Sequence, residues 1–230
     1  MQGDLISYLK HRYEETQKRH TGPGPVITIS REYGCPAKLI AEKLANELSA
    51  KHDEQGHTHL WKWYSKEILE ESAKELQMDP SKIKYVFEYE KKSALEDFFG
   101  SFGQYYQSDK KIRATIGRVI REIGENGHAI IVGRGGIAIT RDIADSLHIN
   151  LVAPLEWRTV RISQRYDLTL ENARQTCIDI DKKRAEFRDF FQGKNNDYTS
   201  PDLTINCMSF TVDEIVKILV KTVETRKLIY

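Results

Sequence analysis

Cysteine is scarce in this chain of 230 residues, and its placement excludes two classes of protein. The three cysteines, Cys35, Cys177 and Cys207, form an odd and widely spaced set without a CxxC pair. Disulfide scaffolds and zinc knuckles need paired cysteines, so neither class fits. A reducing compartment suits such a chain, and we expect it to work in the cytoplasm.

Long apolar runs and an excess of charge of one sign are also missing. Nowhere do about 18 apolar residues follow one another as a membrane-spanning helix requires, and the charged segment 1–20 has helical periodicity without the apolar region of a secretory signal. Lysine plus arginine number 35 against 34 aspartate plus glutamate. We therefore expect neither membrane nor nucleic acid as a partner, and any anion site must be local.

Apolar runs alternate with helical patterns after a linker rich in glycine and proline at 21–25. The runs typical of strands are 26–30, 60–64, 129–132, 147–152 and 203–206, and the helical patterns cover 38–50, 65–76, 110–125, 155–166, 170–190 and 212–226. This alternation predicts an α/β fold with a parallel five-stranded sheet between two layers of helices. Ligands of such sheets bind at the carboxyl ends of the strands.

The domain organisation follows from the same patterns. Residues 1–25 are predicted to form a charged helix and a linker, and residues 26–230 a single domain. Within that domain, the stretch 80–109 is rich in aromatic residues and has no strand pattern. It is typical of a helical insertion, which is either a small subdomain with its own apolar contacts or a lid over a substrate.

The first candidate anion site is the turn from Ser30 to Lys38, which joins the first strand directly to a helix. Backbone N–H groups and the helix dipole converge at such a point, and a lysine adds a full positive charge. The Walker pattern GxxxxGK[ST] is absent, because Pro36 lacks an N–H and Leu39 offers no hydroxyl. The turn is therefore either a phosphate loop or an ordinary connection.

Arginines supply further candidate anion contacts. Arg134 stands between glycines after the strand 129–132, where it can fork onto a phosphate or pair with a nearby carboxylate. Two more groups lie at i, i+3 and i+7 on successive helices: Arg158, Arg161 and Arg165, then Asp181, Arg184 and Arg188. The first group has only Glu156 as an acid on its own segment, so its face is predicted to be either solvated or anion-facing. The second group is either an intrahelical ion pair or part of an anion site.

Histidines and one cysteine give weaker indications. His52, His57 and His59 lie in a segment, KHDEQGHTH, that is typical of a polar loop, and we expect no metal site there. Cys35 precedes a helix N-terminus, where either an ordinary reduced thiol or a thiol of lowered pKa is reasonable.

Six segments in order resemble the cytidylate kinase-like family, which is similar to the CMP kinases among the P-loop nucleoside monophosphate kinases. They are ITISREYG, YSKEIL, IIVGRGG, LVAPLEWR, DKKRAEF and PDLTINCMSFTVDEIV. The resemblance implies a three-layer P-loop NTPase-like fold with a helical lid at about 165–200 and a substrate-binding insertion at about 80–109. It implies transfer of the γ-phosphoryl group of ATP, with Mg²⁺, to a nucleoside monophosphate such as CMP.

The resemblance also implies roles for individual residues. Nucleotide binding falls to Ser30, Arg31, Gly34, Cys35, Ala37, Lys38 and Leu39. Substrate binding falls to Arg134 and Asp181, and catalysis to Arg158, Arg161, Arg184 and Arg188. The expected ligands are thus a nucleoside triphosphate and a small phosphorylated acceptor.

Three departures from the family pattern leave other functions open. Cys35-Pro36-Ala37 replaces glycines in the loop, Ser65 replaces the usual aspartate after the second strand, and no carboxylate ends the third strand as a magnesium anchor. A phosphate-binding loop depends on compact residues with available N–H groups. The alternatives are a catalytically impaired nucleotide-binding sensor or interaction protein, and a structural protein that keeps only the fold.

Overall fold

The computed structural model describes residues 24–54, 60–77, 109–192 and 201–229. Its strands are β1 (Val26–Arg31), β2 (Lys62–Tyr64), β3 (Ala129–Val132), β4 (Ser146–Val152) and β5 (Leu203–Asn206). Its helices are α1 (Ala37–Glu54), α2 (Glu67–Glu75), α3 (Asp109–Asn126), α4 (Gly136–Thr140), α5 (Leu155–Tyr166), α6 (Leu170–Gln192) and α7 (Val212–Thr225). Strands and helices alternate as the sequence predicts.

The five strands form one parallel sheet in the order β2-β3-β1-β4-β5. Val26 lies opposite Ala129 on one side and Ser146 on the other, so β1 occupies the centre. Sequential strands that are not neighbours need crossover connections, and the intervening helices supply them. The predicted parallel five-stranded sheet is confirmed.

Apolar side chains cover both faces of the sheet. On one face Ile27 and Ile29 pack with α1 and α7, and on the other Val26 and Ile131 pack with α2 and α3. Successive residues of a strand point to opposite faces, so a strand that is buried on both sides is apolar at nearly every position. This is why β3 (AIIV) is apolar throughout, and why β1 carries Val26 on one face and Ile27 and Ile29 on the other.

Two local features differ from the sequence prediction. Helix α1 continues to Glu54, so the beginning of the segment predicted as a polar loop is helical. Helix α4 was not predicted, because the glycines that precede it indicate a turn. Thr140 Oγ1 donates a hydrogen bond at 2.9 Å to the carbonyl oxygen of Gly136 and closes this short helix on itself.

Several predictions fall outside the described residues. These are the charged helix within 1–23, most of the aromatic-rich insertion 80–109, and the imidazoles of the KHDEQGHTH segment. Within the described ranges, no helix is long and apolar enough to cross a membrane, and no cluster of three or more His, Cys, Asp or Glu side chains could hold a metal ion.

Candidate functional site

The loop between β1 and α1, residues 32–36, lies at the carboxyl edge of the sheet. Glu32 N–H donates at 3.0 Å to the carbonyl oxygen of Leu151, which continues the pairing of β1 with β4. Gly34 has φ of 98°, and a Cβ at this position would lie 3.0 Å from Cβ of Arg158. Both the left-handed backbone and the close approach to α5 require glycine here.

Arg158 lies under this loop and is 6% exposed. Its Nε donates at 2.9 Å to the carbonyl oxygen of Ala153, and its Nη1 donates at 3.1 Å to that of Tyr33. Two carboxylates flank the guanidinium: Glu32 at 3.3 Å and Asp181 at 2.7 Å. A buried charge needs this kind of compensation, and here the contacts of Arg158 join the β1–α1 loop, α5 and α6.

The burial of Arg158 corrects the prediction of one solvated or anion-facing arginine face. Arg161 and Arg165 are exposed, whereas Arg158 points into the protein. The acids that balance Arg158 come from other segments of the chain. Glu156, the acid on the same helix, therefore does not determine how the charge of Arg158 is balanced.

Two more arginines donate to carbonyl oxygens of the same connection. Arg161 Nε reaches the carbonyl oxygen of Gly34 at 3.3 Å, and Arg184 Nη1 reaches that of Arg31 at 3.2 Å. Each guanidinium also lies over an aromatic ring, with Arg161 4.6 Å from the ring centre of Trp157 and Arg184 5.3 Å from that of Tyr33. Stacking holds the planar cation while its other N–H donors can serve further acceptors.

Asp181 of α6 binds the loop through its carboxylate. Oδ1 accepts a hydrogen bond from the backbone N–H of Tyr33 at 2.7 Å, and Oδ2 accepts one from Arg158 Nη1 at 2.7 Å. Arg184, one turn further along α6, lies 3.8 Å from the same carboxylate. The structure therefore places Asp181 and Arg184 against the β1–α1 loop, as neighbours of Arg158.

A second group of cationic residues lies at the ends of β1 and β3. Gly133, Arg134 and Gly135 follow β3 with φ values of 75°, 60° and 71°. The guanidinium of Arg31 lies against Gly133, because a Cβ at that position would collide with Arg31 Nη1. Arg31 and the half-buried Arg134 thus belong to adjacent strand ends at one edge of the sheet.

The remaining predicted site residues differ in how exposed they are. Lys38 and Leu39 are exposed in the first turn of α1, while Ala37 is buried beneath them. Ser30 is half-buried in β1, and Arg188 is exposed on α6, one turn beyond Arg184. The structure brings the loop residues together with α5 and α6, and it leaves Lys38 and Arg188 facing solvent.

Glu32 and Tyr33 are parts of this site that sequence reasoning missed. Glu32 Oε2 accepts a hydrogen bond at 2.9 Å from the backbone N–H of Ala153, so it joins the loop to the start of α5. Burial and a hydrogen bond with Tyr166 raise the pKa of Tyr33 to about 12. An acidic residue placed directly after a buried strand was the available signal for Glu32.

Cys35 and Cys207 pack in the same apolar cluster on the α1 side of the sheet. Interaction with the Cys207 thiol, followed by burial, raises the pKa of Cys35 above its ordinary value. Interaction with Cys35 lowers the pKa of Cys207. Cys207 directly follows β5, so this cluster joins the loop to the end of that strand.

The model of the cytidylate kinase-like family matches residues 26–209. The chain belongs to this family. The match spans the loop, Arg158, Asp181 and Cys207, so every element of the site lies within it. Membership of the cytidylate kinase-like family supports a nucleotide kinase-like function.

Individual relatives differ in how much of their length they share with the chain. A cytidylate kinase of Methanopyrus kandleri is 26% identical over 203 residues, which cover 84% of this chain and 90% of that protein. A uronate isomerase of Corynebacterium glutamicum is 27% identical over 119 residues, and the chain spans 22% of its length. Only the first likeness extends over both proteins.

Solved structures share the fold. An uncharacterised protein from Eubacterium ventriosum superposes with a TM-score of 0.60 at 22% identity, over 87% of this chain and 98% of that one. The sheet order, the family match and this likeness together fit a P-loop NTPase-like α/β fold. The sheet and helix layers that the resemblance implied are confirmed, whereas the helical lid and the substrate-binding insertion stay predictions.

The residues present fit a bound polyphosphate better than they fit a metal ion. Arg161, Arg184 and the exposed Lys38 surround the loop with positive charge, which suits the phosphate groups of ATP. Leu39 has no hydroxyl for Mg²⁺. Mg²⁺ usually keeps several waters and binds through phosphate oxygens, so the ion would be held largely by the nucleotide, where it neutralises phosphate charge.

Proposed function

We propose that this chain is a phosphotransferase that moves the γ-phosphoryl group of ATP to a nucleoside monophosphate such as CMP. Family membership gives the nucleotide kinase-like class, and the arrangement of cations around the β1–α1 loop supports the specific reaction. Phosphoryl transfer needs little covalent chemistry from the protein, because positioning and positive charge stabilise its transition state.

The observation that carries the proposal is the attachment of three arginines to one short connection. Arg158, Arg161 and Arg184 donate to the carbonyl oxygens of Tyr33, Gly34 and Arg31, respectively. Since α5 and α6 supply these arginines, both helices are joined to the loop by hydrogen bonds. In this proposal Arg158 holds the loop in place, and Arg161 and Arg184 contact the transferred phosphoryl group.

Other residues are assigned binding roles by where they lie relative to the β1–α1 loop. Lys38 is exposed in the first turn of α1, where it can reach the β- and γ-phosphates of ATP. Arg134 and Asp181 are the proposed contacts of the acceptor nucleotide, and Arg188 adds charge as α6 approaches the phosphates. Ser30, Arg31, Gly34, Cys35, Ala37 and Leu39 complete the proposed nucleotide-binding segment.

The direct test is the formation of ADP from ATP and Mg²⁺ with each of CMP, dCMP, UMP, AMP and GMP as acceptor. We expect turnover with CMP. Turnover with another monophosphate but not with CMP would contradict the proposed acceptor, and no turnover with any of them would contradict the phosphotransferase.

The ATP affinity of Lys38→Ala tests the proposed role of a single residue. We expect this variant to weaken ATP binding, because a phosphate contact is lost, and to leave the melting temperature unchanged, because Lys38 is exposed. Lys43→Ala is the matched control on the same helix, since Lys43 pairs with Asp213 at 2.6 Å instead of facing the loop. Equal ATP affinity in both variants would mean that Lys38 does not hold phosphate.

A second candidate is a nucleotide-binding sensor without catalysis. The carboxylate of Asp181 on the Tyr33 N–H and the absence of a hydroxyl at Leu39 both favour it. Calorimetry with ATP and Mg²⁺ separates the two functions: binding without turnover supports the sensor. Failure to bind nucleotide at millimolar concentration would support a structural protein that keeps only the fold.

A further inference from the structure

Two arginines leave the same edge of the sheet from neighbouring strands. Arg31 is the last residue of β1, and Arg134 follows β3. Ile29 lies opposite Val132, and the pairing continues one step further, because Gly133 N–H donates at 3.0 Å to the carbonyl oxygen of Ile29. Neighbouring strands lie about 4.8 Å apart. Arg31 and Arg134, each two residues beyond the last strand pair, therefore start from adjacent points of the edge.

The side chain of Arg31 is directed towards the end of β3. A Cβ at Gly133 would lie 3.0 Å from Cζ and 3.5 Å from Nη2 of Arg31, so the guanidinium covers this glycine. Gly133 makes room for it, because it has no side chain and its φ of 75° turns the backbone. The main chain of Arg31 has other neighbours: it pairs with Leu151 of β4, and its carbonyl oxygen accepts from Arg184 Nη1 at 3.2 Å.

The cation of Arg31 and the proposed ATP contacts lie on different sides of β1. Arg158 and Arg161, which donate to the β1–α1 loop, belong to α5, the helix that follows β4. The guanidinium of Arg31 lies on the other side of β1, against the residue that follows β3. Arg31 therefore adds its charge on the side of Arg134, the proposed acceptor contact.

We propose that Arg31 binds the phosphate group of the acceptor together with Arg134, and that this pair restricts the acceptor to phosphate monoesters. Each guanidinium presents a fork of N–H donors that matches two phosphate oxygens. Both side chains are half-buried, and water screens such charges less than fully exposed ones. A nucleoside without a phosphate has no group for either fork, so it binds much more weakly than its monophosphate.

This inference rests on the proposed function and sharpens one assignment within it. The main chain of Arg31 stays part of the nucleotide-binding segment, whereas its side chain serves the acceptor and not ATP. Arg31 and Lys38 then have opposite effects on the two ligands. Loss of the Arg31 side chain weakens the monophosphate, and loss of the Lys38 side chain weakens ATP.

The experiment titrates the full-length protein calorimetrically with CMP, UMP, AMP and GMP, with the corresponding nucleosides, and with ATP and Mg²⁺. For the monophosphate that binds best, we expect Arg31→Ala to lower the affinity about tenfold or more, because charge-assisted hydrogen bonds are lost. The affinities for its nucleoside and for ATP should not change. Arg31→Lys keeps the charge without the fork and should show a smaller loss. In the double variant with Arg134→Ala, the preference for the monophosphate over the nucleoside should disappear.

Lys62→Ala is the matched control, since Lys62 is an exposed cation at the amino end of β2, the opposite edge of the same sheet. It should bind every ligand as the wild type does. Melting temperatures show whether each variant is folded. Unchanged monophosphate affinity in Arg31→Ala would overturn the proposal, and so would a loss for ATP that equals or exceeds the loss for the monophosphate.

Turnover separates this inference from the proposed function. If the wild type binds a monophosphate but forms no ADP from ATP, the phosphotransferase fails, while the titrations of Arg31→Ala still decide the role of Arg31. If the wild type binds no monophosphate at millimolar concentration, the inference fails as well. If turnover is present, Arg31→Ala should raise the KM for the monophosphate and leave the KM for ATP unchanged, and the reverse pattern would overturn the proposal.

Discussion

The carboxylate of Asp181 accepts the backbone N–H of Tyr33 at 2.7 Å, so helix α6 holds the β1–α1 loop through one of the donors that the loop offers. The other oxygen of the same carboxylate accepts Arg158 Nη1 at 2.7 Å. A phosphate group would seek the same kinds of donor. Asp181 therefore holds the loop in place, and its carboxylate also competes with an incoming anion for the Tyr33 N–H and the Arg158 guanidinium.

Asp181→Asn tests this competition. Asparagine keeps an oxygen for the Tyr33 N–H but removes a negative charge beside Arg158 and Arg184, so we expect tripolyphosphate to bind about fivefold more tightly, which corresponds to about 1 kcal/mol. Isothermal titration calorimetry measures the change, with Asp179→Asn on the exposed side of α6 as the control. Unchanged or weaker binding would argue that Asp181 does not oppose the anion. CMP affinity is the second readout, since the proposed acceptor contact predicts a loss there.

Arg158→Ala is expected to destabilise the protein. The substitution leaves Glu32 and Asp181 without the buried cation between them, and breaking a buried ion pair costs about 3–5 kcal/mol. Urea unfolding measures this free energy, and Arg165→Ala, on the exposed part of the same helix, is the control. A loss of well under 1 kcal/mol would mean that the network does not hold the loop.

Arg184→Ala is expected to lower turnover much more than it lowers stability. Arg184 touches the loop through one hydrogen bond and lies over the Tyr33 ring, and the proposed reaction places a transition-state charge beside it. Steady-state kinetics and the melting temperature are compared with those of Arg174→Ala, an exposed arginine on the same helix outside the proposed site. Parallel losses of activity and stability in Arg184→Ala would favour a purely structural ion pair with Asp181.

The sequence predicted the sheet well because its signal is local. Val26, Ile27 and Ile29 put apolar side chains on both faces of β1 because both faces are covered, and the strand bounds differ from the predicted ones by two residues at most. The charge balance of Arg158 depends instead on Glu32 and Asp181, which lie far away along the chain. Helical spacing places residues on a face but does not reveal what the fold brings against that face.

The shared cluster of Cys35 and Cys207 shows the same limit. No spacing pattern connects these two cysteines, and each has only a local setting in the sequence. They belong to one apolar cluster because β1 and β5 both lie in the sheet, with β4 between them. The order of the strands decides which residues share a cluster, and the alternation of strands and helices along the sequence does not give that order.

Gly133→Ala is expected to destabilise the protein for two separable reasons. Gly133 has φ of 75°, which costs a residue with a Cβ about 1–2 kcal/mol, and the new methyl group would also displace the Arg31 guanidinium, the flexible end of that side chain, at a smaller cost. Urea unfolding of Gly133→Ala, Arg31→Ala and the double variant separates the two. The double variant should be more stable than the sum of the single changes predicts, because the collision is gone while the backbone cost remains. Simple additivity would contradict the contact.

The raised pKa of Tyr33 predicts how stability depends on pH above neutrality. Burial, followed by the hydrogen bond with Tyr166, raises this pKa from 10.0 to about 12, so between these values the folded chain keeps a proton that the unfolded chain releases. The contribution of Tyr33 is therefore complete below pH 10 and is lost as the pH rises towards 12. Ultraviolet difference titration of the wild type against Tyr33→Phe should show a phenol that ionises near pH 12, and urea unfolding across the same window should show the two proteins converging in stability. A difference signal that titrates near pH 10 would mean that Tyr33 is solvated and that α5 does not cover the loop at this ring.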